Sequence, residues 1–131
     1  MGINRYSLKQ DGDKKLSPHF KVKEFACKDG SDPIIIDDDL IEILESLRLK
    51  LGKPIMIMSG YRTYDYNYKI KGAINSYHTK GQAADIVVSG MSPILVGLYA
   101  VAMGARGCGI YKNFTHIDCR DTAIMWEGEN I

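Results

Sequence analysis

Long hydrophobic runs are missing from this 131-residue chain, and with them any segment of membrane-spanning length. The opening residues, Met1-Gly2-Ile3-Asn4-Arg5-Tyr6-Ser7, carry a positive charge with no apolar stretch behind it. No secretory leader is read there, and the chain is expected to be cytoplasmic as synthesised. Cysteine is scarce: Cys27, Cys108 and Cys119 stand far apart without a CxxC spacing. That excludes a disulfide framework and a thiolate zinc cluster, and leaves the three as small buried hydrophobes. An excess of one charge is also lacking, since 17 Lys and Arg face 16 Asp and Glu for a net charge of +1. No basic stripe points to nucleic acid, and electrostatics alone name no partner. Internal repeats and low-complexity segments are absent as well.

What is present is the composition of an ordinary globular protein, 45% hydrophobic and 25% charged. The length suits one domain over residues 1–131, divided into a polar N-terminal arm at 1–18 and a core at 19–126. Asp37, Asp38 and Asp39 put carboxylates at the start of a helix whose stripe is Leu40, Leu44, Leu47 and Leu51. Gly52 and Pro54 end it. Ile55-Met56-Ile57-Met58 and Ala83-Ala84-Asp85-Ile86-Val87-Val88 read as strands. Ser92 and Pro93 open a second helix that stops at Gly104, and residues 108–111 and 114–118 read as an antiparallel hairpin. The sum is an α+β fold. Residues 59–82 form a long connection too rich in turn formers and aromatics to be a linker.

That connection and the hairpin hold the candidate chemistry. A hydrolytic zinc site needs three nitrogen or oxygen ligands on firm supports and one open position. His78 on the loop and Asp85 at the opening of a strand, seven residues apart, meet that need if a neighbouring strand supplies the third. Period-two alternation puts His116 and Asp118 on one strand face, about 7 Å apart. With His116 on the metal, Asp118 is placed as a general base for its water. Arg62, just past a strand end, is placed to grip a substrate carboxylate or steady an oxyanion. Each residue also has a plainer reading. A lone histidine is more often a hydrogen-bonded structural group, as expected for His19, and a lone arginine more often a surface ion-pair partner. Tyr61, Tyr64, Tyr66 and Tyr68 are read as aromatics packing their own loop rather than a ligand-binding rim.

The blocks Ser59-Gly60-Tyr61-Arg62-Thr63, Asn67, Gly72-Ala73, residues 76–86 and Phe114-Thr115-His116-Ile117-Asp118 resemble the zinc D-Ala-D-Ala carboxypeptidase family (peptidase M15), especially its short phage and prophage members. The resemblance covers residues 19–126. It implies an antiparallel sheet flanked by helices, of the DD-peptidase and hedgehog-like type. It also implies Zn2+ on His78, Asp85 and His116, with Arg62 at the scissile region. Asn113 occupies the position where some members carry the catalytic acid, so the acid two places after the last ligand, Asp118, takes that role. Tyr61 and Ser76, inside the same blocks, are the candidate substrate contacts. The implied function is hydrolysis of D-alanine-containing peptide bonds of peptidoglycan, as carboxypeptidase or endopeptidase, by a monomer acting on the wall after release. Two rivals remain: a zinc-containing wall-binding module without activity, and a non-haem iron oxygenase using two histidines and a carboxylate.

Overall fold

Residues that read as an arm are woven into the fold. The structure, a computed structural model, describes residues 2–128; Met1 and residues 129–131 of the expected domain lie outside it. Strand β1 (Ile3–Ser7) leads into the single helical turn α1 (Leu8–Asp11) and the short strands β2 (Lys15–Ser17) and β3 (Phe20–Lys21). After a 3-10 turn at Val22–Phe25 comes β4 (Pro33–Asp37), which returns antiparallel along β1 with Ile3 opposite Asp37. Tyr6, Leu8 and Leu16 pack against the main core, which is why the polar leader has a fixed course.

Asp37 then caps α2 (Asp38–Leu51), its carboxylate accepting from the Asp39 amide at 2.9 Å, and Gly52 ends the helix at φ 65°. Leu40, Leu44 and Leu47 of this helix are fully buried. Each such side chain contributes roughly 1.5–3 kcal/mol by leaving water, so the stripe rather than helix propensity holds α2 in place.

The helix covers a sheet. Strands β5 (Ile55–Ser59), β6 (Ala83–Val88), β7 (Gly107–Ile110), β8 (Thr115–Asp118) and β9 (Ile124–Glu127) lie in the order β5-β6-β8-β7-β9. Between β5 and β6 sit α3 (Tyr64–Lys69) and a 3-10 turn at Tyr77–Lys80, and α4 (Pro93–Ala102) connects β6 to β7. The expected antiparallel hairpin is present, with Gly109 opposite His116. The sheet as a whole is mixed, because β9 runs parallel to β7. Ile57, Ala84, Ile86, Val88 and Ile117 face α2 and α4 in the core. Alternation turns Asp85 and His116, direct partners in the β6–β8 register, to the other face. Among the described residues, no helix is long and apolar enough to cross a membrane.

Candidate metal centre

Three adjacent supports deliver three ligand-type side chains. Asp85 and His116 face each other across β6 and β8. His78 arrives on the 3-10 turn, whose start is fixed by the Ser76 hydroxyl accepting from the His78 amide at 3.2 Å. The turn ends at Gly81, φ 73°, where an added Cβ would lie 2.3 Å from the Ile35 carbonyl oxygen. Only glycine fits that combination of left-handed backbone and close approach. The ligand atoms of His78, Asp85 and His116 all lie within 4.8 Å of one another, and among the described residues no other such group of His, Cys, Asp and Glu occurs.

The pairing of the outer atoms decides what the inner ones can do. His78 Nδ1 lies 2.7 Å from the Gly60 carbonyl oxygen, which only accepts, so that nitrogen carries the proton. In the neutral ring, Nε2 therefore presents a lone pair to Asp85 Oδ1 at 3.2 Å. His116 is held the other way round, with Nε2 2.8 Å from Asp118 Oδ2 and Nδ1 3.0 Å from Asp85 Oδ1. Its Nε2–H donates to the carboxylate and Nδ1 is left with a lone pair. Three lone pairs thus point at one spot, an arrangement that requires added protons or a cation. Tetrahedral zinc with bonds of roughly 2.0–2.1 Å sets its ligand atoms roughly 3.3 Å apart, close to the two separations here. The donor set therefore fits zinc.

With protons rather than an ion on the two inner nitrogens, burial still raises the Asp85 carboxyl pKa, but hydrogen bonds from His116 and His78 outweigh it and hold the group well below the usual carboxylate range. His116 shows the converse. Burial lowers its pKa, yet hydrogen bonds to Asp118 and Asp85, with their charges, leave it raised.

Arg62 holds the remaining Asp85 oxygen, with Nη2 to Oδ2 at 3.3 Å. Its Nε donates to Ser59 Oγ and its Nη1 to Asn67 Oδ1, both at 3.2 Å. Asn67, buried in α3, also donates to the Ala73 carbonyl, so one amide ties Arg62 to the loop at 70–76. That loop forms one wall of a cavity of about 520 Å³. The cavity reaches His78, Asp85, His116 and Arg62, and Tyr111, Phe114 and Trp126 also line it. The cluster is thus open on one side.

Two expected site residues, Tyr61 and Asp118, are not on that side. Tyr61 is partly buried against the core and does not line the cavity, and Ser76 does line it but serves chiefly as the cap beneath His78. Asp118 is fully buried behind His116. Its Oδ2 faces His116 Nε2 and accepts from Arg120 Nη2 at 2.6 Å, while its Oδ1 accepts from Arg120 Nε at 2.8 Å. With both oxygens committed and no exposed surface, its position does not suit a base acting on water at the open side. Burial raises its pKa, but the Arg120 and His116 hydrogen bonds prevail and hold it low. His19 pairs with Glu45 at 2.6 Å, on a different part of the chain.

The sequence reading missed Arg120 and Trp126. The Arg120 guanidinium carbon lies 4.4 Å from the Tyr77 ring centroid and 5.2 Å from that of Trp126, and the Trp126 ring lies 5.3 Å from His116. The spacing Asp118-x-Arg120 and the single tryptophan were the available signals. The tryptophan needed β9 to be recognised, because it is the parallel pairing with β7 that puts Trp126 beside Gly109 and hence beside His116.

A family model described as Peptidase M15 matches residues 18–118, which contain all three ligand-type residues and Arg62. Among curated proteins, the peptidoglycan L,D-endopeptidase MepK of Escherichia coli is 40% identical over 92 residues, 63% of this chain and 50% of that protein. The protein of the same name from Shigella flexneri gives the same figures, 40% over 92 residues, 63% and 50%. The probable peptidoglycan L,D-endopeptidase MepK of Haemophilus influenzae is 31% identical over 103 residues, 71% of this chain and 55% of that protein. The chain spans about half the length of the curated relatives it matches.

Proposed function

The chain belongs to the peptidase M15 family, and from that premise we propose that it is a zinc-dependent peptidase cutting bonds within the peptide stems or cross-links of bacterial peptidoglycan. An endopeptidase is preferred over a carboxypeptidase releasing terminal D-alanine, because the relatives carry the name L,D-endopeptidase. The observation that carries the metal reading is the convergence of three lone pairs from His78, Asp85 and His116, each ligand's other polar atom being tied to protein.

His78 Nε2, Asp85 Oδ1 and His116 Nδ1 would hold the ion. When bound, zinc supplies Lewis acidity toward a carbonyl and lowers the pKa of its water toward neutrality. Arg62 keeps Asp85 from turning by occupying its second oxygen, and it presents positive charge to the cavity. The loop at 70–76 and the aromatic wall of Tyr111, Phe114 and Trp126 bind and orient the peptide between them. Asp85 is the only carboxylate on the cavity wall among the described residues, and Asp118 acts through His116 rather than on the water. One chain supplies the whole cluster, so a monomer suffices.

The wall-binding alternative needs a closed four-ligand site. Its weakness is the absence, among the described residues, of a fourth ligand-type side chain in the cluster, together with the cavity at its open side. Incubation of the zinc-loaded protein with purified peptidoglycan, followed by mass spectrometry, tests the proposal. New amino termini inside stem or cross-link peptides are expected, abolished by chelator and by Asp85→Ala or His116→Ala. Free D-alanine as the sole product would make it a carboxypeptidase, and an unaltered wall would leave the binding module. Metal analysis of protein purified without added metal separates zinc from iron.

A further inference from the structure

The chemistry proposed above uses only the inner nitrogen of His116, yet the outer one is the centre of a larger construction. Behind the ring, Asp118 is fully buried and is gripped by Arg120 through two parallel bonds, Nε to Oδ1 and Nη2 to Oδ2. The Arg120 backbone amide adds a third, to Oδ1 at 3.2 Å. Arg120 is itself fixed by the faces of Tyr77 and Trp126. The neighbouring strand makes room for all this by having no side chain where one would interfere. Gly107 is opposite Asp118 across β7 and β8, and a Cβ there would lie 2.2 Å and 2.3 Å from the two carboxylate oxygens. Gly109 is opposite His116, and a Cβ there would lie 2.6 Å from the Trp126 indole. Neither glycine has a positive φ, so it is space and not backbone freedom that these positions provide.

From this we infer that Asp118 and Arg120 form a positioning pair for His116, and that Gly107 is the residue whose missing side chain admits it. The inference rests on the metal reading. Asp118 accepts the hydrogen bond donated by Nε2–H, which fixes the ring as the tautomer with Nδ1 free. Arg120 stops the carboxylate from rotating, so the imidazole cannot turn its lone pair away from His78 and Asp85. A group that orients a ligand from behind typically changes metal affinity by roughly 10–100-fold when removed.

The test measures zinc affinity by competition with a chromogenic chelator, for the wild-type chain and for Asp118→Ala, Arg120→Lys and Gly107→Ala. It is paired with long-range nitrogen–proton NMR of the His116 ring in the zinc-loaded proteins. Wild type is expected to bind one zinc and to carry its ring proton on Nε2. Asp118→Ala is expected to bind roughly 10–100-fold more weakly, with the Nε2 proton signature lost or averaged. Gly107→Ala leaves all ligands and the pair chemically intact, and it should weaken binding in the same direction by displacing the carboxylate. Arg120→Lys keeps the charge but not the fork, and should fall between. Wild-type affinity in both Asp118→Ala and Gly107→Ala overturns the inference. So does weakened binding with an unchanged ring signature, because the effect would then run through folding. Failure of the wild-type protein to bind zinc is a different result: it overturns the metal assignment itself, and this inference with it.

Discussion

Gly81 carries more of the site than its size suggests. Its carbonyl accepts from the Asp37 amide at 2.9 Å, and its left-handed φ of 73° ends the turn that presents His78. Gly81→Ala should destabilise the protein by at least about 1–3 kcal/mol from backbone strain alone, before the clash with Ile35 is counted. Thermal unfolding checks this, and an unchanged midpoint would contradict it. Cys119 is the one part-exposed thiol of the three. Burial first, then the charges of Asp37 and Asp39, push its pKa up to about 12. The thiolate is the reactive form and appears only as pH rises toward that value, so alkylation of the native protein at pH 8 should be far slower than in denaturant. Timed iodoacetamide labelling reads this directly, and equal rates would refute it. At this scale the ligand-type residues were legible because few side-chain types bind metal and their spacing restricts them to a loop and two strands. Tyr61 was placed at the cavity and Trp126 was passed over because aromatics serve core and cavity equally well, and only the tertiary pairing separates the two uses.

Elements explain which parts of the fold could be read and which could not. Helix α2 and strand β6 have strong local signals, caps and stripe in one and a continuous apolar run in the other, and both lie where expected. Strand β9 has four residues, none of them buried, and it pairs in parallel with β7, so its existence depends on a partner rather than on its own pattern. The leader joins β4 for the same reason, through an antiparallel pairing that a polar sequence does not announce. Between β5 and β6, Asn67 of α3 does what a longer element would otherwise do. It receives Arg62, donates to Ala73, and lies so close to Gly72 that a Cβ there would fall 2.0 Å from Asn67 Oδ1. Asn67→Ala leaves the Arg62 Nη1 and the Ala73 carbonyl without this partner, at a cost of about 1–3 kcal/mol. The expected signature is local: faster amide exchange across residues 70–76 with α2 unaffected. Uniform loss of protection through α2 would mean that Asn67 supports the whole fold instead.

On the scale of the whole molecule, the sheet separates two tasks. One face meets α2 and α4 through Ile86, Val88 and Ile117, and the other holds Asp85 and His116 beside the cavity. The cluster joins β6 to β8 directly and, through His78, to the 3-10 turn that follows the loop at 70–76. An ion there would bind the folded chain and find no assembled site in the unfolded one, so it must add to stability by mass action. With free zinc at 100 times its dissociation constant, the gain is about 2.7 kcal/mol. For a chain of this size that corresponds to a rise in unfolding temperature of roughly 10 °C. The rise should vanish on chelation and should be absent in His78→Ala, whose cluster keeps only two ligands. Scanning calorimetry at graded zinc concentrations measures it. A midpoint that does not move with zinc in the wild-type chain would mean that the three side chains meet for a purely structural reason, holding the loop to the sheet through protons alone.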